Sequence, residues 1–264
     1  MEEGRVHTQM AEAVVNWIET FSSEILATSP HEASQDRVVD VPIHSVIIAF
    51  GGVLCVALEG FPAPIVELKS KLSDACDGIA PELMGSKWAK VTVAAVRDDA
   101  EDRQTSDPAV WDRLRTALLV WNTSTEHHTP ARLQEVSVVS FQCRSLAHHQ
   151  VLKSVSLRYK TLLGDGSVES VIDPASHLKG AAVVEEFTSN ENWASYRDNG
   201  IIARLQPAAS YRQEFHGTTM VAFLVDDCWA QYLERLKQHL CDHDLGWLYE
   251  WMPNNVLHVT VRGL

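Results

Sequence analysis

The sequence predicts an α+β fold in which a β-α-β unit occurs twice, once in residues 51–96 and again in residues 219–261. In both stretches the hydrophobic period runs from two, to between three and four, and back to two. Sliding Leu68 to Val93 by 168 positions onto Leu236 to Val261 gives ten identities in 26 without a gap. They are Leu68/Leu236, Lys69/Lys237, Leu72/Leu240, Asp74/Asp242, Gly78/Gly246, Glu82/Glu250, Met84/Met252, Val91/Val259, Thr92/Thr260 and Val93/Val261. Average residue usage predicts about one or two. Shared apolar periodicity accounts for the leucines but not for Asp74, Gly78, Glu82 or Thr92, so the two units read as a duplication within one domain spanning residues 1–264.

Each element has its own signal. Met10, Val14, Ile18, Phe21 and Ile25 make one stripe of a helix from Thr8 to Leu26. A polar loop leads to a strand from Val38 to Phe50, and Gly51-Gly52 separates it from a second, Val53 to Glu59. Pro62 and Pro64 suit the first turn of a helix whose buried face is Ile65, Leu68, Leu72 and Cys76. A strand Trp88 to Val96 and an acidic loop follow. Asp107-Pro108 then marks the start of a helix from Ala109 to Trp121. Leu133 to Cys143 and Val151 to Leu163 alternate as strands, and Gly164-Asp165-Gly166 reads as a hairpin turn into Ser167 to Ile172. Residues 173–213 give no clear pattern. The last section is a strand Thr219 to Asp226, a helix Trp229 to Leu240 and a strand Val256 to Val261.

Composition narrows the classes of function. A chain of 264 residues that is 45% hydrophobic and 22% charged is an ordinary globular sequence. Its longest nearly unbroken apolar run, Val46 to Leu58, holds two glycines and falls short of a membrane span. The net charge of −13 opposes the phosphate tracking that long DNA or RNA requires, while leaving room for a local site for one phosphate. Five cysteines, Cys55, Cys76, Cys143, Cys228 and Cys241, are odd in number and show no C-x-x-C pair, which suits reduced thiols and an intracellular location. Met1 to Gln9 is polar and acidic, without the features of a secretory signal.

Both repeats end in the same kind of strand, Lys90-Val91-Thr92-Val93 and His258-Val259-Thr260-Val261. Residues two apart on a strand share a face, so His258 and Thr260 lie on one side and Val259 and Val261 on the other. If the repeats face each other across a pseudo-two-fold axis, Lys90 and Thr92 meet His258 and Thr260 in a hydroxyl-lined, positively inclined slot.

Here the chain resembles the two-histidine (2H) phosphoesterase superfamily, whose members carry two His-x-Thr/Ser-x motifs on the central strands of two pseudo-symmetric lobes. The resemblance implies a 2H-like α+β fold with antiparallel sheets around a central cleft, and substrates that are 2′,3′-cyclic or 2′-5′-linked phosphodiesters of nucleotides and RNA ends. By that resemblance His258 is a general acid or base, Thr92 and Thr260 hydrogen-bond phosphate oxygens, and no metal or other cofactor is needed. Two departures matter. Lys90 stands where the first histidine belongs, and an unperturbed lysine is a poor base near neutral pH. The chain also stops three residues after the second motif, so the helix Thr8 to Leu26 and the strand Val38 to Phe50 fill the place of the expected last helix and strand, a circularly permuted arrangement. Two functions follow as expectations: a phosphoesterase-like protein that acts on or binds a small nucleotide, with hydrolysis weak or lost, or an inactive 2H-fold protein that serves as a structural partner of other proteins.

Other histidines compete for the role. His216-Gly217-Thr218-Thr219 has the motif letters at a strand start, but outside the duplicated position. His239 and His243 are four apart with Cys241 between, a helical metal pair only if a third ligand joins them; a solvated helix face is the plainer reading. His127-His128 and His148-His149 read as loop residues without a partner motif.

Overall fold

The computed structural model describes residues 12–18, 38–76, 79, 82, 87–103, 105–124, 129–157, 172–224 and 227–264. Helix α1 (12–18) is the described part of the helix expected from Thr8, and it buries Val14 and Ile18, four residues apart. Strands β1 (Val39–Val41) and β2 (Ile43–Ile48) replace the single strand expected from Val38. Pro42, which has no N–H to give a ladder, stands between them. Strand β3 (Leu54–Leu58), helix α2 (Ala63–Ala75) and strand β4 (Lys90–Val96) form the first β-α-β unit. Helix α3 (Pro108–Thr123) opens on Asp107, whose carboxylate accepts from the Ala109 N–H, as the Asp-Pro pair predicts.

Strands β5 (Ala131–Leu133), β6 (Glu135–Cys143) and β7 (His149–Ser156) come next. The turn expected at Gly164-Asp165-Gly166 lies outside the described residues. The unreadable stretch folds into helix α4 (Pro174–Thr188), the short α5 (Trp193–Tyr196), π and 3-10 turns to Arg204, and α6 (Ala208–Arg212). Strand β8 (Glu214–Phe223) starts five residues earlier than expected. After it come helix α7 (Asp227–Asp242), a short unexpected strand β9 (Tyr249–Trp251), and β10 (His258–Gly263).

The architecture is mixed α and β with antiparallel sheets. One large sheet runs β2-β3-β4-β10-β8-β6-β7, with β9 attached to the second half of β4, and β1 pairs with β5 in a separate ribbon. One face of the large sheet presents Val56, Val91, Val138 and Val259 to a core closed by α1, α2, α3 and α7, through Val14, Leu68, Leu118 and Leu236 among others. The opposite face is covered differently at its two ends. Over β2 and β3, Val184 and Phe187 of α4 pack with Ile47, Cys55, Ala57 and Trp88. Over β6 and β8, Leu146 and Val256 pack with Val139 and Val221. Among the described residues, no helix is long and apolar enough to cross a membrane.

Candidate functional site

The expected site residues come together on β4 and β10. These strands are adjacent and antiparallel, with Val91 paired to Val259. Pairing about that point sets His258 opposite Thr92 and Thr260 opposite Lys90. Val91 and Val259 have no solvent exposure, whereas Lys90, Thr92, His258 and Thr260 are all half-buried on the face away from the helical core. The Lys-Val-Thr-Val and His-Val-Thr-Val alternation is enough to produce this, since each β-branched valine fills the core and lifts its polar neighbours to the other side.

Both strands also carry an extra residue just after the threonine. On β4, Thr92 pairs with Cys55 but Ala94 with Leu54, so Val93 is the bulged residue. On β10, Thr260 pairs with Val221 but Arg262 with Met220, so Val261 occupies the same place. A bulge bends its strand and re-aims the residues beyond it.

The two halves differ in electrostatics. The Lys90 ammonium sits over the Trp88 ring at 4.4 Å, beneath the α4 cover. Burial lowers its pKa; the nearby Cys55 thiol works against that shift, and the Lys69 charge adds to it. Cys55 lies 3.6 Å from the Thr92 hydroxyl, and burial pushes the thiol up, against the opposing effects of Lys90 and Thr92.

His258 Nδ1 is 2.7 Å from the Val256 carbonyl oxygen. A carbonyl only accepts, so Nδ1 carries the proton and Nε2 is the lone-pair nitrogen. Burial lowers the pKa of His258; the Val256 carbonyl opposes this, and the nearby His149 and Lys90 reinforce it. The ring is therefore neutral near pH 7 and equipped to accept a proton at Nε2.

One neighbour was not legible in the sequence. The His149 ring packs on Phe223 at 5.1 Å, and the His258 ring meets the same phenylalanine edge-on at 6.2 Å. His149 Nδ1 is 2.7 Å from the Leu146 carbonyl oxygen, so both rings are held by a bond from Nδ1 to a backbone carbonyl. The β6–β7 hairpin has a register shift between Val138 and Val139, and its tip brings Leu146 against Val221 and Val256. No spacing rule anticipates that contact.

Of the rival histidines only His149, the first residue of β7 rather than a loop residue, reaches the site. His216 lies on β8 with its side chain exposed and paired to Glu214 at 2.9 Å. His239 Nε2 bonds the Ala117 carbonyl and its ring packs on Trp121, which ties α7 to α3, while His243 Nδ1 bonds the His239 carbonyl. No cluster of three metal-ligating side chains occurs among the described residues. His127-His128 lies outside them, and His148 is exposed. Compared with protein-family profiles, with curated proteins and with solved structures, the chain gives no match.

Proposed function

We propose that this chain is a divergent 2H phosphoesterase-like protein that binds a small nucleotide phosphate between Thr92 and Thr260, with little or no hydrolytic turnover. The observation that carries the reading is the Val91–Val259 pairing, which gathers Lys90, Thr92, His258 and Thr260 on one half-buried face. The strand order supports two related lobes: outward from the β4–β10 pair it runs β3 then β2 on one side and β8 then β6 on the other. The bulges at Val93 and Val261 agree with that relation, and so does the order of elements, α1 leading toward β2 as α3 leads toward β6. These features support the circularly permuted arrangement expected from the sequence.

In this reading the two threonine hydroxyls donate to phosphate oxygens, and His258 Nε2 takes the proton of the attacking oxygen. Lys90 places a positive charge beside the phosphate but is held on Trp88, so the group that should protonate the leaving oxygen is poorly placed. Titrating the protein with 2′,3′-cyclic AMP while following the His258 ring signals by NMR tests the proposal. Saturable shifts that weaken about tenfold in Thr260→Val are expected, from the loss of one charge-assisted hydrogen bond. Ring signals unmoved at millimolar ligand would overturn it.

A second reading, an inactive fold descendant that serves as a structural partner of other proteins, draws on one feature. Phe187 contacts both Trp88 at 6.2 Å and Tyr196 at 5.1 Å, and these rings belong to the layer over the Lys90 half of the face. It predicts no phosphodiester binding in the wild-type protein or in Lys90→His.

A further inference from the structure

At the end of the sheet where β4 begins and β10 finishes lies a cavity of about 280 Å³ between α2, the start of α4 and the end of β10. The bulge at Val261 turns Arg262 toward it. Without an extra residue Arg262 would share a face with Thr260, but its partner in the ladder is Met220, which belongs to the helix-covered core, whereas Thr260 pairs with Val221 on the site face. Arg262 thus points beneath α2 and is only 5% exposed. The equivalent position in the first repeat is Ala94, so this arginine is a feature of one repeat alone.

Three lysines join it around the cavity: Lys69 of α2, Lys87 just before β4, and Lys179 of α4. Four cations around one small cavity are notable in a chain of net charge −13. The two carboxylates there have partners. Glu82 pairs with Lys69 at 2.5 Å, and Asp173 accepts from the Ser176 N–H as the N-cap of α4. Among the described residues lining the cavity four cationic side chains face these two carboxylates, and the hydroxyls of Ser70 and Ser176 line the same space, while the Ser73 hydroxyl donates to the Lys69 carbonyl. A guanidinium fork, ammonium groups and hydroxyls are the donor set that recognises a tetrahedral dianion. The volume suits a compact ligand with a small organic part rather than a polymer.

We propose that this cavity is a binding site for a small phosphate monoester, separate from the face that carries His258. The site does not depend on the 2H reading. It is tested on the full chain by calorimetric titration with inorganic phosphate and with ribose 5-phosphate at low ionic strength, following the His258 ring signals in parallel. One saturable site per chain is expected, tighter for the sugar phosphate, with the His258 signals unmoved. Replacing Lys87 and Lys179 together by glutamine, both away from the core, should weaken binding at least about tenfold without loss of fold by circular dichroism. Arg262→Lys should weaken it as well, since the charge stays but the fork is lost. Absence of saturable binding of either probe at millimolar concentration would overturn the proposal. So would binding that survives the double lysine change, or binding that shifts the His258 ring.

Discussion

His258 on β10 stands opposite Thr92 on β4 because Val259 and Val91 meet one step away, each with no solvent exposure. The same two valines that close the core therefore set the spacing of the polar face, and packing and site geometry cannot vary independently. Val259→Ala should destabilise the fold by about 2 kcal/mol, from two lost methyl groups and the space they leave. Urea unfolding measures this. Thr260→Val, on the half-buried side, should change stability by less than half as much while weakening ligand binding.

The acid side of the stability curve should report His258. Its pKa is lowered in the folded protein, chiefly by burial, so below the ordinary histidine value of 6.5 the unfolded chain binds more protons than the folded one. Stability therefore falls as the pH drops through that range and toward the lowered value. Replacing His258 by glutamine, which cannot titrate, should flatten the curve there. Equal slopes for both proteins between pH 7 and pH 5 would show that the ring is not held neutral. Lys90 acts with the same sign at alkaline pH: its folded pKa is also lowered by burial, so stability rises with pH from that value up to the ordinary lysine range.

Much of the fold was legible because long periodic segments fix their own faces. Helices α2 and α7 follow their leucine stripes, and the valines of β4 and β10 alternate as written. Helix α4 was not, and its buried residues say why. They are Ser176, Gly180, Val184 and Phe187, so half of its inward stripe is small or polar and no apolar period shows. Ser176 is buried because its hydroxyl accepts the Phe61 N–H at 2.8 Å, and Gly180 because α4 passes close to the Leu58 and Glu59 carbonyls. For the site, the four motif residues could be read from the repeat. Cys55, opposite Thr92 on β3, and Trp88, two residues before Lys90, follow strand alternation onto the same face but carry no motif that marks them, whereas His149 arrives through tertiary packing of the β6–β7 hairpin.

Helix α1 tests whether the chain's first helix is part of the core. Val14 and Ile18 are 0% and 1% exposed and belong to the same cluster as Val259 and Val261. Val14→Asp with Ile18→Asp should strip that contact, since an unpaired carboxylate is not tolerated in an apolar core, and expose an apolar surface that promotes aggregation. Size-exclusion chromatography and dye binding measure it. A double variant that stays monomeric and as stable as the parent would separate α1 from the core.

In the proposed 2H-like reading, activity turns on what stands in place of the first motif histidine. An acid-base pair needs two groups that exchange protons near neutral pH, and losing one half costs on the order of 10² to 10⁴ in rate. Burial lowers the pKa of Lys90, but its ammonium lies on the Trp88 ring, so the parent protein should hydrolyse 2′,3′-cyclic nucleotides weakly or not at all. Lys90→His restores a titrating imidazole opposite Thr260 and should raise turnover by one to two orders of magnitude, within that range. Adding His258→Ala should abolish the gain, because the proton acceptor at Nε2 is then gone. If instead the parent turns over substrate robustly and Lys90→Ala removes the activity, the lysine itself serves as the proton donor or as the charge on the phosphate. His149 gives a further discriminant, since its ring shares Phe223 with His258. His149→Gln in the Lys90→His background should shift the pH profile of kcat/KM only slightly if the two motif residues form the working pair, and should collapse the rate if the hairpin histidine has taken the missing role.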